Sequence, residues 1–191
     1  VHTRFARWAK NGTWERVFEA LIKHRNNEYF MLDTTLVRAH QQAATGKGGD
    51  QNQALGRSRG GLTSKIHMLA DALGRPLRFI LTGGQVHDVV PAPALLEGVQ
   101  GGAVIADKAY DSNALRQLIA DADMVAVIPS TRSRKVVIPH DAALYLYKQR
   151  NRIERCFNKL KHFRRLATRF DRRAAHFLAF IHIASAMIWM R

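Results

Sequence analysis

The sequence predicts an α/β domain built on a mixed five-stranded sheet with flanking helices, and three observations predict it. Two apolar runs, Tyr29 to Leu32 and Gly102 to Ala106, are too short for helices, and each ends in a carboxylate, Asp33 and Asp107. Two further strand-like runs lie between them, Lys65 to Ala70 and Leu77 to Thr82. The rest of the chain alternates helical spacing with one last strand-like run. With 191 residues, 47% of them hydrophobic, the chain can bury one substantial core.

Charge narrows the partner. Thirty Lys and Arg stand against fifteen Asp and Glu, a formal +15, which points to a polyanion. Ribosomal and membrane-surface proteins are equally basic, so charge alone does not make an enzyme. The one cysteine, Cys156, has no internal partner for a disulfide, and nothing at the N-terminus reads as a signal peptide. A reducing, cytoplasmic setting is the expectation, with Cys156 a buried, inert thiol. The stretch from Ala174 to Met190 falls short of the roughly 20 apolar residues of a membrane span. His176, His182 and Ser185 interrupt it, while Phe177, Phe180, Ile181, Ala184 and Ile188 recur at helical spacing. It reads as a closing core helix, with no membrane association.

Taken in order, residues 2 to 25 interleave Arg4, Arg7, Lys10, Arg16, Lys23 and Arg25 with Phe5, Trp8, Trp14, Val17, Phe18 and Leu21. Two short helical patterns are separated by a turn at Asn11-Gly12, with Thr13 the expected N-cap. The run from Tyr29 ends at Asp33-Thr34-Thr35, where Asp33 is either a turn cap or a site carboxylate delivered to the sheet margin. Gly46 to Gly61 carries six glycines with Lys47, Arg57 and Arg59 and reads as a flexible basic loop, solvated or DNA-contacting. It completes neither a P-loop nor a Gly-x-Gly-x-x-Gly. The two central runs are joined by Asp71-Ala-Leu-Gly74-Arg75-Pro76, a hairpin connection. His87-Asp88 reads as a cap and loop contact, or as support for a metal site, before a helix from Ala92 to Val99. After Asp107, Ser112 is the expected N-cap of a helix to Ala122, Met124 to Ile128 is the fifth strand, and Arg132, Arg134 and Lys135 form a short basic run, solvated or bound.

The last long segment begins near His140-Asp141. At about 100° per residue, Tyr147, Arg150, Glu154 and Lys161 share one helix face. Leu146, Ile153, Phe157 and Leu160 make an apolar second side, and Lys148, Arg152, Arg155 and Lys159 a basic third. Taken alone, Glu154 pairs with Arg150 one turn before it, on a solvated helix. Tyr-x2-Arg-x3-Glu-x6-Lys, however, resembles the signature of the bacterial insertion-sequence transposases of the DDE type, in the branch that contains insertion sequences four and five. Asp33-Thr34-Thr35 with Val37-Arg38-Ala39-His40 resembles that family's first catalytic block, and Asp107-Lys108-Ala109-Tyr110-Asp111-Ser112 its second, with Ala109 where glycine is usual. Gly56-Arg57-Ser58-Arg59-Gly60-Gly61-Leu62-Thr63 resembles the family's basic loop.

Arg4-Phe5-x-Arg7-Trp8-x5-Trp14 resembles the end of the helix-turn-helix region that precedes the catalytic domain in this family. The expected division is therefore residues 1–26, the remnant of that DNA-binding region, and 27–191, the catalytic domain. Family members carry more chain upstream, so a downstream reading frame or a shortened copy is expected.

Three strands, a helix, a strand, a helix, a strand and a closing helix is the element order of the ribonuclease H-like fold. That fold lays the first and fourth strands side by side, which would make Asp33 and Asp107 neighbours and bring Glu154 against them. Three gathered carboxylates raise one another's pKa, and hard oxygen ligands suit two Mg²⁺ or Mn²⁺ ions rather than zinc. The resemblance implies DNA strand cleavage at the ends of an insertion sequence and 3′-hydroxyl strand transfer into a target. It also implies a homo-oligomer acting on double-stranded DNA, both terminal repeats and target. Tyr147, Arg150 and Lys161 would position a phosphate, while Lys148, Arg152, Arg155, Lys159, Arg57, Arg59 and Lys108 would contact DNA. The competing class is an inactive or recruited remnant that only binds DNA.

Overall fold

The computed structural model describes residues 2–45, 53–139 and 144–190. Its frame is a mixed sheet whose central strand is β1 (Phe30–Ala39). On one side β1 pairs antiparallel with β3 (Gly61–Ala70), with Asp33 opposite Met68 and Thr34 opposite His67. On the other it runs parallel to β5 (Ala103–Ile105), with Phe30 opposite Val104 and Met31 opposite Ile105. Strand β4 (Pro76–Gly83) continues from β3 through the predicted hairpin, and β6 (Val125–Val127) runs parallel to β5 at the far margin.

All five expected strands are present. Two short ones join them, β2 (Gly56–Ser58) against β3 and β7 (Thr168–Arg169) against the end of β1. The first corrects the reading of Gly46 to Gly61 as wholly unpacked: Leu55 and Gly56 are buried, and Arg57 and Arg59 project from a ladder and its turn. Residues 46 to 52 of that loop, Lys47 included, lie outside the described residues.

Alternation along β1 separates two cores, as period-two geometry requires. Phe30 and Leu32 point to one face with Val104, Leu69, Leu95, Leu115 and Ile119. The helices there are α3 (Ala92–Leu96) and α4 (Asn113–Asp121), and Ser112 caps α4 by accepting from the Leu115 N–H at 3.1 Å. Met31 points the other way, with Ile105, Val127, Ile153, Phe157, Leu160, Phe177 and Ile181. This second face is covered by α6 (Asn151–Lys161) and α8 (Ala174–Trp189). The closing segment is thus a core helix, and among the described residues no helix is long and apolar enough to cross a membrane.

At the N-terminus, α1 (His2–Lys10) and α2 (Thr13–Leu21) dock on α8 through Phe5 against Phe180, ring centroids 4.5 Å apart, and Phe18 against His182. Gly12, in the left-handed region at φ 72°, takes the N-cap position expected of Thr13 and makes no side-chain cap bond. Glycine reaches that φ without the Cβ clash any other residue would carry.

A second correction concerns the signature segment, which is not one continuous α-helix. Helix α5 (Leu144–Lys148) is followed by a tightened stretch in which Arg150 N–H bonds to Tyr147, Arg152 to Gln149 and Ile153 to Arg150, each three residues back. Such bonds wind the backbone as a 3₁₀ turn before α6 begins. Tyr147 therefore stands on a different helix from Glu154. His140 and Asp141 lie outside the described residues. Two four-residue or shorter elements, α7 (Arg164–Ala167) and β7, lead the chain back to β1 before α8.

Candidate active site

The register of β1 and β5 decides where two carboxylates stand. Met31 pairs with Ile105, the last residue of β5, and two residues further along each chain come Asp33, still in β1, and Asp107, just past β5. Neighbouring strands run about 4.8 Å apart, and two steps preserve the side-chain face, so both emerge on the face that α6 covers. Asp107 is half-exposed and caps a 3₁₀ turn, Lys108–Tyr110, by accepting from the Ala109 N–H at 2.8 Å. This is how Ala109 serves where glycine is usual: it lies inside a right-handed turn and is not among the residues with positive φ.

Glu154 reaches the same place from α6, whose position is fixed from both ends of its buried stripe. Ile153, Cys156, Phe157 and Leu160 are buried in the core, and burial pushes the Cys156 thiol up to about 12, as expected of an inert thiol. Arg152, read as one of the basic contacts, is engaged inside the protein instead. Its guanidinium donates to the Tyr29 hydroxyl at 3.0 Å and to the Ala72 carbonyl. The hairpin it grips turns at Gly74, φ 79°, where an added Cβ would stand 2.8 Å from that of Arg152. Lys148, Arg155 and Lys159 remain exposed along the outer side, and Lys161 is half-buried.

Arg150 links two of the three acids. Its Nη1 lies 3.5 Å from Asp33 Oδ2, and its Nη2 pairs with Glu154 Oε1. Among the described residues Asp33 otherwise accepts only the Thr34 N–H, at 2.9 Å. Burial raises the Asp33 pKa to about 6, against the pull of the Thr34 N–H and of Arg150, and the negative charges of Asp107 and Glu154 add to the rise. Both other acids thus act electrostatically on Asp33, which stands inside β1 rather than at its end, since the strand continues to Ala39. Among the described residues, however, no three His, Cys, Asp or Glu side chains stand close enough to grip a single ion. The Glu154 carboxylate, half exposed, is turned to Arg150. The donor set is all carboxylate oxygen, and half-buried Asp33 lacks a full complement of hydrogen-bond donors among the described residues, which fits a hard divalent cation.

Sequence reasoning missed two features around these acids. The Asp111 side chain is covered and clamped by Arg116, Arg134 and the Thr131 N–H, so Arg134 of the short basic run is structural, while Arg132 and Lys135 are exposed. Burial opposes ionisation of Asp111, yet these donors, Arg134 foremost, hold its carboxyl well below the usual range. Its signal was an Asp at the mouth of a predicted helix, with arginines only later in sequence. The second feature is buried His67, opposite Thr34. Burial lowers its pKa to about 4, opposed by Asp88 and aided by Lys65, so the ring is neutral at neutral pH. The His87-Asp88 pair resolves into a loop contact, Asp88 accepting from Lys65 at 2.8 Å, with His87 exposed.

Against this geometry, the family model for the transposase DDE domain matches residues 27–189. The chain belongs to the DDE transposase family. It is 44% identical over 132 residues to a Brucella ovis protein described as a transposase for insertion sequence element IS6501, covering 68% of this chain and all of that relative. It is 36% identical over 137 residues to one described as a transposase for IS402 from Burkholderia cepacia, covering 65% of this chain and 62% of the relative. Among solved structures, the piggyBac transposase in a synaptic complex with hairpin DNA has the same fold, with a TM-score of 0.57 at 12% identity. That match takes in 93% of this chain and 49% of piggyBac. The DDE transposase domain of this chain is thus ribonuclease H-like, as its element order predicted.

Proposed function

We propose that the chain is the catalytic portion of an insertion-sequence transposase that cleaves DNA at the ends of its element and joins the freed 3′-hydroxyl to target DNA. The single observation that carries this reading is the half-buried Asp33, its pKa raised, with Asp107 two residues past the last β1–β5 pair and Glu154 linked to Asp33 through Arg150. Asp33, Asp107 and Glu154 are the residues that would hold Mg²⁺ or Mn²⁺. Two such ions, when bound, supply activation of the attacking oxygen and stabilisation of the leaving one.

In this reading Arg150, which in the protein alone neutralises Asp33 and Glu154, turns to the scissile phosphate. Tyr147 and Lys161 orient the same group. Lys148, Arg155 and Lys159 on the outer side of the helices, with Arg57, Arg59 and Lys108, take the flanking backbone of double-stranded DNA. Arg152 is excluded from that set by its internal bonds. A homo-oligomer handles the two ends, and residues 1–26 are the last part of a helix-turn-helix region joined to a catalytic domain that starts at 27. Glu154→Gln tests the assignment: Mg²⁺-dependent cleavage of an end-bearing duplex is expected to fall on the order of 10³-fold, the loss of several kcal/mol of charge stabilisation, while binding of that duplex persists. Cleavage at the wild-type rate removes Glu154 from the site.

A further inference from the structure

Asp33 and Asp107 lie beyond the last rung that joins their strands. The β1–β5 ladder consists of two pairs, Phe30 with Val104 and Met31 with Ile105, and past Ile105 the backbone of Ala106 bonds instead to Val127. Something other than the ladder must fix how far apart the two carboxylates stand. A side-chain bond spans the gap: Thr34 Oγ1 lies 2.8 Å from the hydroxyl of Tyr110. Thr34 follows Asp33 and gives it its N–H, and Tyr110 ends the turn that Asp107 caps, with its N–H on the Asp107 carbonyl at 3.1 Å.

The bond does not stand alone. Thr34 Oγ1 is also 2.8 Å from Nδ1 of His67, whose Nε2 is 2.7 Å from Thr82 Oγ1, and Thr82 donates to the Gly83 carbonyl at 3.2 Å. A hydroxyl has one proton to give, and a neutral imidazole one N–H. Since Thr82 donates to Gly83, it accepts from His67 Nε2; Nδ1 then accepts from Thr34, and Thr34 accepts from Tyr110. Every proton is used, and the chain runs in one direction from the turn after β5 across β1 and β3 to β4. His67 and Tyr110 are buried at 0% and 1% exposure, where an unpaired polar group is costly.

We propose that Thr34, with Tyr110 and His67 on either side, is a positioning residue that sets the separation of Asp33 and Asp107 and so readies the pair for a divalent ion. The inference rests on the assignment of those two carboxylates to the metal site. Its test is Mn²⁺ binding alone, followed by electron paramagnetic resonance titration of the full chain, with cleavage as a second readout. Thr34→Val keeps the packing and loses the hydroxyl; Thr34→Ser keeps the hydroxyl and loses the methyl. Partners behind metal ligands are worth about 10- to 100-fold in metal affinity or activity. Thr34→Val is therefore expected to weaken Mn²⁺ binding at least about tenfold, and Thr34→Ser to restore most of it.

Tyr110→Phe removes the donor while leaving Thr34 bonded to His67, and is expected to weaken binding in the same way with an unchanged melting temperature. It also carries the test if Thr34→Val does not fold. Wild-type Mn²⁺ affinity in Tyr110→Phe, or a Thr34→Ser variant worse than Thr34→Val, overturns the proposal, the second by showing that packing rather than the hydroxyl matters. Asp33→Asn is the control on the underlying assignment: if it binds Mn²⁺ as the wild type does, the metal-site reading fails and the proposal with it. Loss in Asp33→Asn beside wild-type binding in Tyr110→Phe overturns the positioning role alone.

Discussion

Asp33, inside β1, and Asp111, just past the turn that follows β5, are both carboxylates, and the protein treats them in opposite ways. Asp111 accepts from Arg116 Nε at 2.8 Å, from Arg134 at 2.8 and 2.9 Å, and from the Thr131 N–H at 2.7 Å. Its side chain is fully buried and its charge is held on. Among the described residues Asp33 has one backbone donor and one guanidinium at 3.5 Å, and burial carries its pKa up to about 6. A carboxylate has about four lone-pair sites to fill. Where protein donors fill them, the group is a structural clamp; where they do not, it is a group that gains from the arrival of positive charge. The difference separates an acid that holds the loop from 129 to 139 in place from one suited to chemistry.

The comparison breaks if Asp111 can be removed cheaply. Asp111→Ala strands two arginines, and is expected to cost about 3 kcal/mol, the low end for a broken buried pair because both guanidinia keep some solvent contact. Urea unfolding measures it, and a loss below about 1 kcal/mol makes the clamp a surface ornament. Asp33→Asn is expected to do the reverse and stabilise the metal-free protein.

The sign of that effect depends on pH. A carboxyl raised from 3.8 to about 6 contributes stability below its unfolded pKa that is lost as pH rises through about 6. The advantage of Asp33→Asn should therefore grow between pH 4 and 6 and level off above, at about 3 kcal/mol. His67 and His182, both lowered to about 4 by burial, run oppositely: their contribution is present above pH 6.5 and lost as pH falls toward 4. With Asp33 gone, their acid loss should show undiluted in the melting temperature. A flat difference across that pH range would mean that Asp33 is not the strained group.

The smallest effect sharpens the same contrast on α6, between a cation used inside and one left outside. Arg152→Ala is expected to lose about 1 kcal/mol of stability through its bonds to Tyr29 and Ala72 and to leave the salt dependence of DNA binding unchanged. Lys159→Ala is expected to keep the melting temperature and lower the salt slope by about one. Binding isotherms over a salt series, beside thermal melts, separate the two; matching slopes would erase the distinction.

Much of this was legible in the chain. The strand runs before Asp33 and Asp107 announced themselves because short apolar runs bounded by polar residues bury on both faces, and the stripe of Ile153, Phe157 and Leu160 did so by its period. Ser112 capped its helix as expected. Strand β2 was not legible, since three residues with one arginine carry no pattern and pair only because β3 offers an edge. Nor was the break before α6, where the hydrophobic stripe continues although the backbone tightens at Arg150.

By itself, then, the order of amino acids determined the five main strands, the side of α6 that is buried and the excess of positive charge, because each is a local pattern. Only the tertiary structure decided which acid is saturated and which is left wanting, and which arginine serves the protein rather than its surface. The reason is physical: desolvation and hydrogen bonding act over a few ångströms of space, and the groups that set the state of Asp33 include Arg150, 117 positions away along the chain.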